Sequence, residues 1–145
     1  MLEDFIEVNK LDAKIVKFNT DTFPEKALLQ TKLPPSSLVK TIVFVDEKMD
    51  FFVVVAGSDS TVSELDAEDL FEKNKLEKAE RKDVYNRAGV DINYFPPIGI
   101  FGAKVVLEEK LKEQKYLLFP LSAREFLIIL TNDVIKAIEL SEELI

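Results

Sequence analysis

The stretch Val39–Val45 (VKTIVFV) is rich in β-branched residues and predicts a β-strand. A polar segment follows at residues 46–50 and reads as a turn. A second apolar run, FFVVVA at residues 51–56, comes directly after it. Two such runs joined by a short polar turn predict a β-hairpin.

Helical and strand patterns alternate on both sides of the hairpin. Further strands are predicted at residues 13–18, 76–79, 105–107, 116–119 and 126–130, and helices at 2–11, 22–31, 66–71, 80–88 and 131–140. Thr22 with Glu25 predicts a capping box, Thr131 predicts an N-cap, and Gly89 predicts a left-handed C-cap. The mixture of hairpins and helices predicts one α/β or α+β domain around a mixed sheet flanked by helices.

Length and composition place the chain among globular proteins. It has 145 residues, of which 47% are hydrophobic and 32% charged. We expect a single domain over residues 1–145 with a substantial core. No apolar run is long enough to span a bilayer and no signal peptide is visible, so the expected compartment is the cytoplasm, without membrane binding.

The missing residue types narrow the possible chemistry. The chain has no cysteine and no histidine. Thiolate metal sites, cysteine nucleophiles, imidazole ligands and histidine bases are therefore excluded. Cofactor and EF-hand motifs are also missing, so no cofactor or metal is expected. A formal net charge of −8 argues against non-specific binding to DNA, although a local basic patch could hold one RNA end.

Two distant segments carry the strongest functional signals. Lys40 enters the start of an apolar strand, and residues 93–99 (NYFPPIG) form a stiff Pro-Pro loop. A compact cation and preorganised backbone donors would suit an anionic or ester-bearing ligand. The alternatives are a solvated lysine at a strand end and a rigid connection between a helix and a strand.

Two weaker signals follow. Ser122 and Arg124 precede the apolar run at residues 126–130, where Ser122 could orient a water or an amine, although a turn serine beside a surface ion pair is the simpler interpretation. The second signal is a cationic excess on a predicted helical region, which could contact a phosphate backbone or be a solvated, mixed-charge helix. Its cations are Lys73, Lys75, Lys78, Arg81, Lys82 and Arg87.

Taken in order, several of these segments resemble motifs of the YbaK/prolyl-tRNA editing family of aminoacyl-tRNA deacylases. The resemblance covers about residues 13–138. It rests on residues 37–43 (SLVKTIV), 53–57 (VVVAG), 76–79 (LEKA), 95–99 (FPPIG) and 105–111 (VVLEEKL). It implies an α/β fold around a mixed, partly barrel-like sheet. It also implies hydrolysis of the ester that joins a mischarged amino acid to the 3′ end of tRNA.

The resemblance also implies site residues and partners. Catalytic roles would fall to Lys40, Asn93 and Ser122, and substrate contacts to Thr41, Tyr94, Phe95, Pro96, Pro97, Gly99 and Arg124. The partners would be the aminoacyl-tRNA acceptor end and an aminoacyl-tRNA synthetase.

The chain departs from the family pattern in two places. Two family glycines fall on Asn93 and Tyr94, and the late glycine-rich turn aligns with residues 120–123 (PLSA), which contain no glycine. Asn is the residue that best replaces glycine at positive φ, so the first turn is expected to survive. Two functions stay open on the sequence: a freestanding editing deacylase, or a catalytically degenerate module that binds aminoacyl-tRNA or a synthetase. An unrelated α/β domain with a coincidental motif order is the third possibility.

Overall fold

The computed structural model describes residues 2–96 and 103–143. The helices of these ranges are α1 (Leu2–Val8), α2 (Pro24–Thr31), α3 (Glu64–Phe71), α4 (Arg81–Ala88) and α5 (Thr131–Glu143). The strands are β1 (Ala13–Lys17), β2 (Val39–Val45), β3 (Phe51–Gly57), β4 (Glu77–Lys78), β5 (Lys104–Leu107), β6 (Tyr116–Pro120) and β7 (Glu125–Leu130). Short 3₁₀ turns occur at Pro35–Ser37, Ile92–Tyr94 and Glu109–Glu113. Within these ranges, no helix is both long and apolar enough to cross a bilayer.

The predicted hairpin forms the centre of a four-stranded sheet with the order β4-β2-β3-β5. Strands β2 and β3 pair antiparallel along their whole length, and β5 adds in parallel to β3. All seven residues of β3 are buried, because a neighbouring strand lies on each side and apolar side chains cover both faces. This position explains why the sequence of β3 is continuously apolar instead of alternating.

A second sheet has the order β1-β7-β6 and meets the first at a parallel bridge between Leu38 and Leu118. Among the described residues, β1 pairs only with β7 and β5 only with β3. The α/β class and the mixed sheet are therefore confirmed. The sheet is not closed into a barrel.

The outer edge of β2 is paired with β4 only near its end, and the unpaired part of this edge lies at the candidate site. The carbonyl of Leu38 accepts from Ser58 on the β3 side, whereas the carbonyl of Val43 accepts from Ala79 (2.9 Å) on the β4 side. Because backbone groups alternate along a strand, the N–H and C=O of Thr41 point to the same outer side as those of Val43. No described strand pairs with Thr41 on that side, since β4 reaches only Phe44 and Val45.

Of the three helix caps predicted from the sequence, one is correct and two are wrong. Gly89 does adopt the left-handed conformation, with φ of 71°, and ends α4 as predicted. The capping box at Thr22 is wrong, because Phe23 is the N-cap of α2 and the hydroxyl of Thr22 donates to the carbonyl of Thr20. The hydroxyl of Thr131 does not cap α5, since it is buried without a hydrogen-bond partner among the described residues.

Candidate functional site

Lys40 lies near the start of β2, opposite Ala56 of β3, and its side chain is half-buried. Within the described ranges no carboxylate oxygen lies within ion-pair distance of its ammonium group. Asp59 is the nearby acid. Its pKa is lowered mainly by a hydrogen bond from Lys110, and the charge of Lys40 contributes least to this shift. The positive charge of Lys40 is therefore left largely uncompensated.

Asn93 lies in the 3₁₀ turn Ile92–Tyr94, which Asp91 holds in place. The Asp91 carboxylate accepts from the backbone N–H of Asn93 (2.8 Å) and from the Arg81 guanidinium (2.6 Å). These two hydrogen bonds, the one from Asn93 first, lower the pKa of Asp91 below the ordinary aspartate value. Asp91 therefore stays ionised at neutral pH and fixes the turn to the start of α4.

The expectation that Asn93 substitutes for glycine at positive φ is wrong. The non-glycine residues with positive φ in the described ranges are Lys10, Lys32, Met49 and Glu72. Asn93 has ordinary 3₁₀ geometry because its turn is closed by the Asp91 side chain. The backbone at this position does not require glycine.

Thr41, on β2, holds the segment that follows the 3₁₀ turn against this strand. Its hydroxyl donates to the carbonyl of Phe95 (2.8 Å), across 54 residues of sequence. The Phe95 ring is buried and meets Phe51 edge-to-face at a centroid distance of 5.9 Å. Burial of a phenylalanine side chain contributes about 1.5–3 kcal/mol. Phe95 therefore anchors the loop through its ring in the core, and its carbonyl is already used by Thr41.

Lys40 and Asn93 line one cavity with a volume of about 380 Å³, and we call it the Lys40 cavity. Its lining residues are Lys40, Thr41, Ile42, Val43, Thr61, Val62, Lys78, Ala79, Ile92 and Asn93. This set contains two lysines and no carboxylate. Elsewhere within the described ranges, no group of three or more carboxylates is placed to hold a metal ion.

The lining residues Thr61, Val62, Lys78 and Ile92 were not recognised from the sequence as members of this site. Lys78 was counted only as part of a cationic excess, and the other three carry no pattern that would distinguish them from ordinary strand or loop residues. These side chains come together only in the fold, because β4, the loop before α3 and the 3₁₀ turn all lie next to the unpaired outer edge of β2.

The remaining predicted residues lie elsewhere or beside the cavity. Ser122 lies in the β6–β7 turn, where its hydroxyl oxygen accepts from the backbone N–H groups of Arg124 (3.2 Å) and Glu125 (3.1 Å). The Arg124 guanidinium pairs with Asp21 at 2.8 Å. Neither residue lines the Lys40 cavity. Their proposed roles stay predictions without support from this geometry.

Tyr94 directly follows Asn93 and Pro96 follows Phe95; both are half-buried, but neither lines the Lys40 cavity. Pro97 and Gly99 lie outside the described residues.

The six cations of the basic region do not share one helix, so that prediction is wrong. Lys73 and Lys75 follow α3, Lys78 lies on β4, and Arg81, Lys82 and Arg87 lie on α4. Lys73 pairs with Asp46 at 3.7 Å. The guanidinium of Arg87 stacks over the Phe51 ring at 4.8 Å. Several of these charges are therefore used within the fold.

A second cavity, of about 410 Å³, lies next to Lys110, and we call it the Lys110 cavity. The Lys110 ammonium pairs with Asp59 (3.3 Å) and Glu108 (3.6 Å). The same oxygen of Glu108 also accepts from the backbone N–H of Gly57 and the hydroxyl of Ser60. The cation of this cavity is therefore compensated by an internal network.

Comparisons with known proteins agree with this fold. The family model described as aminoacyl-tRNA editing domain matches residues 19–137. A hypothetical protein, APE2540, has a similar structure with a TM-score of 0.80 and 18% sequence identity, over 94% of this chain and 92% of that chain. A candidate trans-editing enzyme for prolyl tRNA synthetase is similar with a TM-score of 0.78 and 18% identity, over 95% of this chain and 89% of that chain.

No curated protein matches the sequence significantly. The structural similarities, at such low identity, establish the fold, which agrees with the α/β class predicted above. The family model spans most of the chain and includes both Lys40 and Asn93. The chain therefore belongs to the aminoacyl-tRNA editing domain family.

Proposed function

We propose that this protein is a freestanding deacylase that hydrolyses the ester bond of mischarged aminoacyl-tRNA in the cytoplasm. The observation that carries the proposal is the Lys40 cavity. Lys40 and Asn93 lie 53 positions apart in the sequence, yet they line one space without a carboxylate. An uncompensated cation beside a fixed backbone turn suits a substrate whose reacting carbonyl gains negative charge.

The residues of the cavity have distinct roles in this proposal. The Lys40 ammonium donates to the ester oxygens or the terminal ribose and stabilises the developing oxyanion. The backbone N–H and C=O of Thr41, which face the unpaired outer edge of β2, orient the aminoacyl group. The turn containing Asn93 forms the opposite wall, and it is held there by Asp91 and by the bond from Thr41 to Phe95.

The reaction needs no protein nucleophile. Water adds to the ester carbonyl, and the tetrahedral intermediate then breaks the bond between the carbonyl carbon and the ribose oxygen. The ribose oxygen takes up a proton, and the amino acid leaves. Because the chain contains no histidine and no carboxylate lines the Lys40 cavity, we assign the removal of the water proton to a polar group of the substrate itself, such as its amine or its free ribose hydroxyl.

The walls of the cavity favour an uncharged amino acid. Ile42, Val62, Ala79 and Ile92 supply apolar surface, so an ionised side chain placed against them would lose hydration, and the lining offers no carboxylate to pair with a cationic one. One structural relative is described as a candidate trans-editing enzyme for prolyl tRNA synthetase. We therefore place prolyl-tRNA charged with small, uncharged amino acids first among the substrates, and a synthetase that makes such errors among the partners.

The test is a deacylation screen of the purified chain against correctly charged and mischarged tRNAs, with Lys40→Ala in parallel. We expect hydrolysis of one or a few mischarged species and loss of that hydrolysis in Lys40→Ala. The variant should fold normally, since circular dichroism and melting temperature are set by the core and Lys40 is not part of it. Hydrolysis that continues unchanged in Lys40→Ala would refute the mechanism.

A second candidate function, a binding module without catalysis, is favoured by one observation. The Asn93 side chain lines the cavity at a position where the family carries glycine. Since Asn93 is not at positive φ, replacement by glycine relieves no strain and only enlarges the space. A folded chain that is silent in the screen but gains hydrolysis in Asn93→Gly would establish the degenerate module.

A further inference from the structure

We propose that Lys78 forms a binding subsite for the 5′-phosphate of the nucleotide whose ester end contacts Lys40. The inference rests on the proposed function and extends it, because it assigns a second cation of the cavity to a second group of the same ligand. Lys78 lies on β4 and lines the Lys40 cavity.

The strand register places both lysines on one face of the sheet. Lys78 is directly opposite Phe44, so the two side chains project to the same side. Along β2, side chains at positions 40, 42 and 44 share that side because the strand alternates with a period of two. Lys40 and Phe44 are four residues apart, which is about 13 Å along the strand. The two flexible lysines can therefore contact different groups of one small ligand.

Like Lys40, Lys78 has no carboxylate partner among the described residues, although its side chain is exposed and that of Lys40 is half-buried. Lys78 makes no ion pair within the part of the chain that the structure describes. Its neighbour Glu77 belongs to a different cavity, with Asp46, Glu47 and Lys75. Asp91 is the acid closest in sequence to the lining residue Ile92, and Arg81 already binds it. In a chain of net charge −8, a cavity with two cations and no carboxylate selects an anion.

A terminal nucleotide fits two separated cations. It carries the aminoacyl ester on one side of the ribose and a phosphate on the other, so one ligand presents a carbonyl and an anion a few bonds apart. A lysine ammonium binds phosphate as a point charge and tolerates variation in geometry. The subsite would therefore require a phosphate but would not read the base.

Adenosine, AMP and adenosine 5′-methylphosphate are the probes for this subsite. The methyl ester carries the single charge of a phosphodiester. Binding is measured by calorimetry for wild type, Lys78→Ala, Lys78→Arg and Lys75→Ala. Lys75 is the matched control, because it loses the same charge from the same segment but lies in the cavity that already holds Asp46, Glu47 and Glu77.

We expect wild type and Lys75→Ala to bind both phosphorylated probes about tenfold more tightly than adenosine, since a hydrogen bond to a charged group is worth that factor or more. Lys78→Ala should bind all three probes equally, and Lys78→Arg should keep the preference. A preference that persists in Lys78→Ala, or that is missing from wild type, overturns the assignment. Because binding needs no hydrolysis, a silent deacylation screen would count against the proposed function and leave this result to decide Lys78 separately.

Discussion

The Lys40 cavity and the Lys110 cavity are similar in size, at about 380 and 410 Å³, but their charges are arranged in opposite ways. In the Lys110 cavity the ammonium group is paired with Asp59 and Glu108. In the Lys40 cavity the ammonium group has no ion-pair partner among the described residues, and the lining contains no carboxylate. Size therefore does not distinguish the proposed site from the Lys110 cavity, whereas the pairing of the lysine does.

The difference has a physical basis. A paired lysine contributes little net field, because the nearby carboxylates cancel it and a ligand would have to displace them. An unpaired, half-buried lysine keeps its full charge available to a ligand, and the fold tolerates this because solvent reaches the cavity. The Lys110 network is a device that holds the end of β3 to the residues after β5, through Gly57, Ser60 and Glu108.

The strongest test of this contrast is to neutralise each lysine without shortening it. Lys40→Met should lower kcat/KM for deacylation about a hundredfold, as the loss of a preorganised electrostatic group does. Lys110→Met should leave kcat/KM within about twofold, because its charge is already cancelled. Both variants keep the aliphatic stem, so steady-state kinetics on the substrate found in the screen separates charge from packing.

An NMR titration of Asp59 tests whether each substitution changes the electrostatics of its own cavity, because the pKa of Asp59 depends far more on Lys110 than on Lys40. Lys110→Met should raise this pKa substantially, since the Lys110 hydrogen bond is the main cause of its depression. Lys40→Met should raise it only slightly. If Lys110→Met also abolished hydrolysis, the contrast between the two cavities would be the wrong criterion for the site.

A smaller effect is expected from loosening the wall of the Lys40 cavity. Thr41→Val removes the donor to the Phe95 carbonyl and keeps the shape, and an unpaired acceptor costs about 1 kcal/mol. We expect the free energy of unfolding to fall by about that amount and kcat/KM by about tenfold, because the Asn93 turn then keeps only its contacts through Asp91 and the Phe95 ring and is positioned less precisely. Thr41→Ser should restore both values in urea titrations and kinetic assays.

Thr31→Val is the matched control for Thr41. Its hydroxyl also donates to a backbone carbonyl, that of Ala27, but within α2 and away from the cavity. This variant should change kcat/KM by less than about twofold. Equal losses of activity in the two valine variants would mean that general stability, and not the position of the turn, controls the reaction.

The sequence predicted the hairpin well because its signals are local. Val39–Val45 carries β-branched residues throughout, and Gly89 can adopt positive φ without a steric cost. Helix starts were less predictable, since several residues can compete for one cap. Ser63 and Asp66 form a reciprocal capping box for α3 that the acidic first turn only partly indicated, and Phe23 replaces Thr22 at α2.

The candidate site was predictable only where a motif marked it. Lys40 stood out as a lone lysine in an apolar strand and Asn93 as part of the Pro-Pro loop, both segments resemble family motifs, and the two residues do line one cavity. Thr61 and Val62 could not have been found in this way, because they line the cavity only through the packing of the loop before α3 against the unpaired outer edge of β2. Ser122 was placed by motif order alone, and its hydroxyl is used within its own turn.

The smallest expected effect concerns the acid that holds the cavity wall. The pKa of Asp91 is below the ordinary value of 3.8, so the folded state favours the ionised carboxylate. Its stabilisation is complete at pH values above the unfolded pKa and is lost as the pH falls through the folded pKa. Thermal melts of wild type and Asp91→Asn should therefore differ by a constant amount above about pH 5 and converge below 3.8.

Asp66 is the control that separates an effect on stability from an effect on the Lys40 cavity. Its pKa is also lowered, chiefly by the backbone hydrogen bond from Ser63, but it lies at the start of α3 and does not line the cavity. Asp66→Asn should show the same convergence of melting temperatures in acid, with unchanged kcat/KM at neutral pH. Asp91→Asn should lower kcat/KM by about twofold, because the side-chain oxygen of the variant still accepts from the backbone N–H of Asn93 but the ion pair with Arg81 is lost. Equal kinetics in the two variants would show that the tie between Asp91 and Arg81 serves folding alone, and the wall of the Lys40 cavity would then depend on Thr41 and Phe95.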